Sequence, residues 1–315
     1  MNPPCAIGTV TVSDSRAGSL TPDGPRVVAL GGGHGLAMTL RAVRRYAGSV
    51  TAVVSVADDG GSSGRLRRDL GVPAPGDLRK CLEALAAGPT PLAAAFDHRF
   101  AAGDLAGHAL GNLLIVGLAE TFGDLRLALD ECGRLLGSVG RVLPATVEPV
   151  ALRARTDGGT EVEGQVAVQE AQGRIRRVRI TPADAVACPE AVDAIRHADQ
   201  IVLAPGSLYT SVAAVLAVPG IRTALETAPG RIVHVANLIE QVPETAGYDG
   251  ADHLRALLDH GARIDTFLHA TDGALEVDEA AIRALGVDPV GTDLAGSDGA
   301  GHDAGRMADA LRRLL

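Results

Sequence analysis

The sequence predicts an α/β fold: an open, mainly parallel sheet with helices on both faces and a small antiparallel β insert. Three observations predict it. From residue 26 onward, short β-branched runs alternate with stretches of helical period, the pattern of a parallel sheet whose strands are joined by helices. The first run, 27–30, ends in four glycines within five residues and passes straight into a helical pattern. Between about 142 and 181 the helical signal gives way to alternation around the turn Asp157-Gly158-Gly159.

Residues 1–25 have neither a basic start nor an apolar run, and read as a weakly ordered leader to a single domain, 26–315. The first strand follows at 26–30. Leu36, Leu40, Val43 and Ala47 then recur at helical spacing, and 50–57 supplies a second strand after a crossover of suitable length, which completes a βαβ unit. Next comes a loop rich in Gly, Ser and Arg. A helix over 75–88 has Asp77 in a plausible N-cap position, and two more helices are read at 111–123 and 124–137. After the insert, a helix at 189–198, a strand at 200–204 and a turn at 205–211 renew the α/β pattern. Strands at 231–236 and 263–270, with helices at 251–261 and 303–315, continue it to the end.

Composition narrows the function. The chain has 315 residues, 46% hydrophobic and 21% charged, as expected of a soluble globule with a sizeable core. Aromatics make up only 2%, which leaves few rings on which bases could stack. A formal charge of −9 opposes partnership with nucleic acid or an anionic membrane. Cys5, Cys81, Cys132 and Cys188 form no CxxC pair, so neither a zinc site nor a disulfide framework is indicated, and a reducing cytoplasm fits.

The chemistry concentrates after the strands. Gly31, Gly32, Gly33, His34, Gly35 and Leu36 lack the GxGxxG register, and GxxxxGK[ST] is absent. Glycines nevertheless let backbone approach an anion, and the N–H groups of a following helix favour negative charge. The turn therefore binds phosphate or merely packs tightly. His34 is placed to touch a ligand there.

Asp58 and Asp59 stand where the second strand ends, positions from which a carboxylate can hold a ribose hydroxyl or Mg²⁺. Ser62, Ser63 and Arg65 could face phosphate oxygens beside them, the alternative being a solvated turn. Arg79 and Lys80, just after Asp77, are either exposed helix charges or anion donors. In the turn 205–211, Gly206 permits close approach while Ser207 and Thr210 either contact ligand or cap a helix. Asn237, Gln241 and Glu244 lie on an irregular loop after a strand, a common place for function. No nucleophile-plus-base arrangement is visible: GxSxG and HExxH are both absent.

Taken together, VVALGGGHGL, VSVADDGGSSGRLR, PAPGDLRKCL, GNLLI, VLAPGSLYTSV and HVANLIEQVPETAGY resemble the YvcK family of gluconeogenesis factors, within the larger group of CofD-like proteins. The resemblance runs from residue 26 to about 312. It implies a Rossmann-like fold, a cytoplasmic bacterial protein that binds UDP-sugars, notably UDP-N-acetylglucosamine, and a role linking gluconeogenic carbon metabolism to cell-wall synthesis and cell shape. It also implies ligand contact by Asn112 of GNLLI, with protein partners in metabolism or wall synthesis and a homo-oligomer left open.

The CofD branch instead transfers a phospholactyl group to a deazaflavin, which keeps a Mg²⁺-dependent phosphotransferase as the alternative and a nicotinamide oxidoreductase as the weaker one. Departures are His34, where many relatives carry Thr, the run Pro73-Ala74-Pro75 in place of a double proline, and Gly301 before His302-Asp303, where relatives often carry a basic residue.

Overall fold

The computed structural model describes residues 20–296 and 301–315; the expectation for 1–19, Cys5 included, lies outside them, as do residues 297–300. The strands are β1 (Arg26–Gly31), β2 (Ser49–Val54), β3 (Arg141–Pro144), β4 (Ala151–Thr156), β5 (Glu161–Glu163), β6 (Ile175–Thr181), β7 (Gln200–Leu203), β8 (Arg231–Val235), β9 (Thr266–Ala270) and β10 (Asp288–Thr292). Seven form one sheet in the order β10-β9-β8-β7-β1-β2-β3, and every neighbouring pair is parallel. The other three make an antiparallel sheet in the order β5-β4-β6.

A parallel sheet buried on both faces should show continuous apolar strands rather than alternating ones. That is what β7 and β9 do, with every residue buried. Helix Gly33–Val43 packs on Gly76–Leu85 and Ala304–Arg312, whereas Pro189–Arg196 packs on Pro219–Thr227. The two groups follow from the strand order, since β1 leads outward to β2 while β7 leads outward to β8 in the opposite direction, and crossovers of one hand then fall on opposite faces. With few rings available, the centre is filled by Val, Leu, Ile and Ala, among them Leu30, Leu36, Leu40, Leu78 and Ile115.

Several expectations need correction. The stretch after β2, read as a loop, is the helix Gly61–Leu70, so Ser62, Ser63 and Arg65 belong to its first turns. Val142 belongs to β3 of the parallel sheet, and the antiparallel insert begins only at β4. Asp77 does not cap its helix: Pro75 is the N-cap, and Asp77 sits inside the first turn. Strand β10 was not expected, since it contains Pro289 and Gly291; it lies at the sheet edge, where a proline costs no ladder bond. Residues 20–25, assigned to the leader, are tied down by hydrogen bonds from Thr21 N to Ala47 O and from Gly48 N to Pro25 O, each 2.9 Å.

The insert docks on the C-terminal half. Val178 N donates to His260 Nε2 at 2.9 Å, Tyr209 Oη donates to Ile175 O at 2.9 Å, and Arg174 pairs with Asp252 at 2.6 Å while lying over the Tyr248 ring. No single helix among the described residues is long and apolar enough to cross a membrane. Cys81, Cys132 and Cys188 are free thiols buried in the interior.

Candidate functional site

Strands β1 and β7 are parallel neighbours whose connections leave in opposite directions, the switch point at whose carboxyl ends open α/β sheets form their ligand crevice. The two glycine turns meet there. A Cβ on Gly35 would lie 1.8 Å from the Pro205 carbonyl oxygen, and one on Gly32 would lie 2.6 Å from Asp77 Oδ2 and 3.2 Å from Ser211 Oγ. Gly35 is therefore required by contact of its turn with the backbone of the second, whereas Gly32 is crowded by the side chains of Asp77 and Ser211. Gly33, at φ +61°, is different, since a Cβ there meets nothing within 4 Å. The helix it opens has no side-chain cap and no acidic residue in its first turn. Its leading N–H groups are left for an anion.

His34 is exposed at this helix start, and nearby Lys80, followed by partial burial, lowers its pKa. Its imidazole is thus neutral at neutral pH. Lys80 itself is held 3.1 Å from Asp77 Oδ1. Arg79 is not the exposed helix charge that was one of its two expected roles: it is buried, with Nη1 paired to Glu83 and, at 2.6 Å, to Asp97, while its Nε has no partner.

The acidic pair divides. Asp58 accepts the Gly60 N–H at 2.9 Å beside Ser63, and burial, with Asp77 adding to it, raises its pKa against the pull of that N–H. Asp59 turns to the insert, accepting Val166 N at 3.1 Å, so it tethers the insert and does not face the crevice alongside Asp58. Among the described residues, no three His, Cys, Asp or Glu side chains converge to hold a metal ion.

Ser62 makes an arrangement absent from the sequence reading. Its Oγ lies 2.9 Å from His108 Nδ1 and accepts from Asn112 Nδ2 at 3.1 Å. Because the Asn112 NH₂ can only donate, the serine proton is available to His108, whose pKa burial and then Arg65 lower. A neutral imidazole beside a hydroxyl at a helix start is a nucleophile-and-base geometry. Its members are 46 residues apart, which hid it. Arg65 points away, donating to Ala106 O at 2.8 Å.

The second turn is already occupied from within. Asn237 grips Gly206 twice, accepting its N–H at 2.6 Å and donating to its carbonyl at 3.0 Å. Glu244 Oε1 accepts the N–H groups of Tyr209 and Thr210, each at 3.1 Å. A carboxylate of the chain thus sits where a phosphate was expected. Ser207 and Thr210 do not cap the π-helical turn Leu208–Val212; both hydroxyl oxygens accept from Gln169 Nε2, at 3.2 Å each. Gln241 lies on the same segment as Glu244, its backbone N–H donating to Thr245 Oγ1 at 2.8 Å. Gln169 was also missed. It belongs to the short insert helix Gln165–Gln169, which reaches Asp59 through Val166 and the second turn through Gln169.

Residues 27–300 match the model of a family described as 2-phospho-L-lactate transferase CofD. The chain is 40% identical over 305 residues to the gluconeogenesis factor of Halalkalibacterium halodurans, covering 90% of this chain and 95% of that one. It is 43% identical over 237 residues to the gluconeogenesis factor of Bacillus subtilis, 75% of each chain. A crystal structure of a UPF0052-family protein from Bacillus halodurans superposes with a TM-score of 0.89 at 38% identity, covering 92% of this chain and 99% of that one.

Proposed function

The chain belongs to the CofD family, among its gluconeogenesis factors, and from that premise we propose that it is a UDP-sugar-binding regulatory protein. UDP-N-acetylglucosamine is the ligand we assign first. The observation that carries the reading is the meeting of the two glycine turns at the β1/β7 switch point, with the uncapped start of helix Gly33–Val43 opening onto it. The diphosphate lies on the N–H groups of Gly33 and His34, with Lys80 as the nearby cation. Asp58 and Asn112 hold hydroxyl groups. In this reading the protein works in the cytoplasm, and occupancy of the crevice reports carbon supply to partners in gluconeogenic growth and wall synthesis.

Calorimetric titration with uridine, guanosine and nicotinamide nucleotides tests the ligand class. The reading expects micromolar-class binding of the uridine nucleotide sugar and no product on long incubation. Tighter binding of a guanosine or nicotinamide nucleotide would contradict it.

A Mg²⁺-dependent transferase is the second reading, favoured by the Ser62–His108 pair and by Asp58 beside Asp77. Mg²⁺ keeps most of its waters and is held by one or two carboxylates plus phosphate oxygens, so the two-carboxylate set Asp58 and Asp77 fits a metal shared with ligand but not an all-protein cage. Such a metal would neutralise charge on a transferring phosphoryl group. Steady release of UMP or UDP, lost in Ser62→Ala or Asp58→Asn, would establish this reading over the first.

A further inference from the structure

The segment after β8 carries two buried acceptor atoms to which nothing donates. Glu244 is 5% exposed, and while its Oε1 takes two backbone N–H groups, its Oε2 has no hydrogen-bond partner. Leu208 N–H and the Ser207 hydroxyl add to the field that favours the charged form without closing a bond on Oε2, and burial outweighs them in raising the pKa. Gln241 Oε1 is likewise buried and unpartnered. A dry acceptor costs as much as a lost hydrogen bond, and native structures tolerate few. An ionised carboxylate oxygen and an amide oxygen accept only, so what satisfies them must donate. A phosphate cannot; a hydroxyl or an N–H can.

We propose that Glu244 and Gln241 are the specificity residues of the second turn, receiving hydroxyl hydrogens of the bound ligand while its phosphates stay at the first turn. This rests on the reading that a UDP-sugar binds the crevice. The polarity of the site is then fixed: anion donors at Gly33, His34 and Lys80, hydroxyl acceptors at Gln241 and Glu244. The contact between Gly35 and Pro205 holds the two turns against each other. Ile239 and Val242 of the same segment are 56% and 71% exposed. The hydroxyls belong either to the ribose or to the hexose.

Glu244→Gln is the discriminating variant, because its amide oxygen can still accept from Tyr209 and Thr210 while an NH₂ donor replaces Oε2. Calorimetry on the full chain would compare UDP, 2′,3′-dideoxy-UDP, UDP-N-acetylglucosamine and inorganic pyrophosphate. The proposal expects pyrophosphate affinity to stay within about twofold, while the nucleotide that carries the recognised hydroxyl, UDP or UDP-N-acetylglucosamine, loses affinity about tenfold or more, the scale of one charged hydrogen bond. If the ribose is read, dideoxy-UDP binds the wild type about as weakly as UDP binds the variant, with no further loss when both changes are combined. If the hexose is read, UDP is unaffected and only UDP-N-acetylglucosamine weakens.

Unchanged affinity for every nucleotide would mean that buried water alone satisfies Oε2, and an equal loss for pyrophosphate would mean a general collapse of the site; either overturns the proposal. Should Glu244→Gln fail to fold, Gln241→Met removes the second acceptor at similar volume and carries the same expectations at several-fold size. A wild type that binds pyrophosphate but no nucleotide would instead remove the UDP-sugar reading, and this assignment with it.

Discussion

Gly35 is pressed against Pro205 so closely that a methyl group on its Cα would lie 1.8 Å from the Pro205 carbonyl oxygen. This contact locks the first glycine turn to the second across the β1/β7 boundary. Gly35→Ala should therefore separate the turns or shift helix Gly33–Val43, at a cost of about 1–3 kcal/mol as for other overpacked sites. Chemical denaturation checks the loss, and calorimetry should show nucleotide binding weakened beyond it. Wild-type stability in this variant would mean that the turns separate freely.

Asp58 should trade stability for binding. Its raised pKa means that burying its charge works against the fold at neutral pH, and the sign follows: the cost appears as pH rises through the range where the unfolded carboxyl ionises, and vanishes in acid. Asp58→Asn should raise the unfolding midpoint at pH 7 while weakening nucleotide affinity by about 1–3 kcal/mol, the value of a charged hydrogen bond. If binding is unchanged in the folded variant, Asp58 serves only the Gly60 turn.

The insert should loosen in mild acid. His260 Nε2 accepts from Val178 N–H, so this nitrogen must be unprotonated for the bond to exist, and burial lowers the pKa below the ordinary histidine value of about 6.5. The unfolded histidine takes its proton first. Stability is therefore full above about pH 6.5 and declines below it, by up to ~1.4 kcal/mol per pH unit until the folded pKa is reached. His260→Gln, which keeps an acceptor but does not titrate, should flatten that part of the pH dependence in urea unfolding between pH 7.5 and 5.5. An identical decline would assign it to other histidines, such as His234, whose pKa burial takes to about 3.

The parallel sheet and both glycine turns were legible because β-branched runs and glycine clusters are local signals. The helix Gly61–Leu70 was not, since Gly61, Ser62, Ser63 and Gly64 at its start have poor intrinsic preference. What holds it is tertiary: Ser62 meets Asn112, 50 residues away. Glu244 was legible as a polar loop residue but not as the carboxylate beneath Tyr209 and Thr210, and Arg79 as a cation but not as a buried one paired with Glu83 and Asp97. Gln169 and His108 carried no local signal at all. Residue type reports chemistry; only the fold decides which groups are already spent on each other.

The central claim, that one nucleotide sugar spans both turns, is tested most directly by amide hydrogen exchange with and without saturating UDP-N-acetylglucosamine. The account predicts slowed exchange in residues 31–36 and in 205–211 together, with 238–248 following as hydroxyls engage Gln241 and Glu244. Slowing confined to 31–36 would contradict it, placing the ligand on the N-terminal βαβ unit alone and leaving the second turn to Glu244.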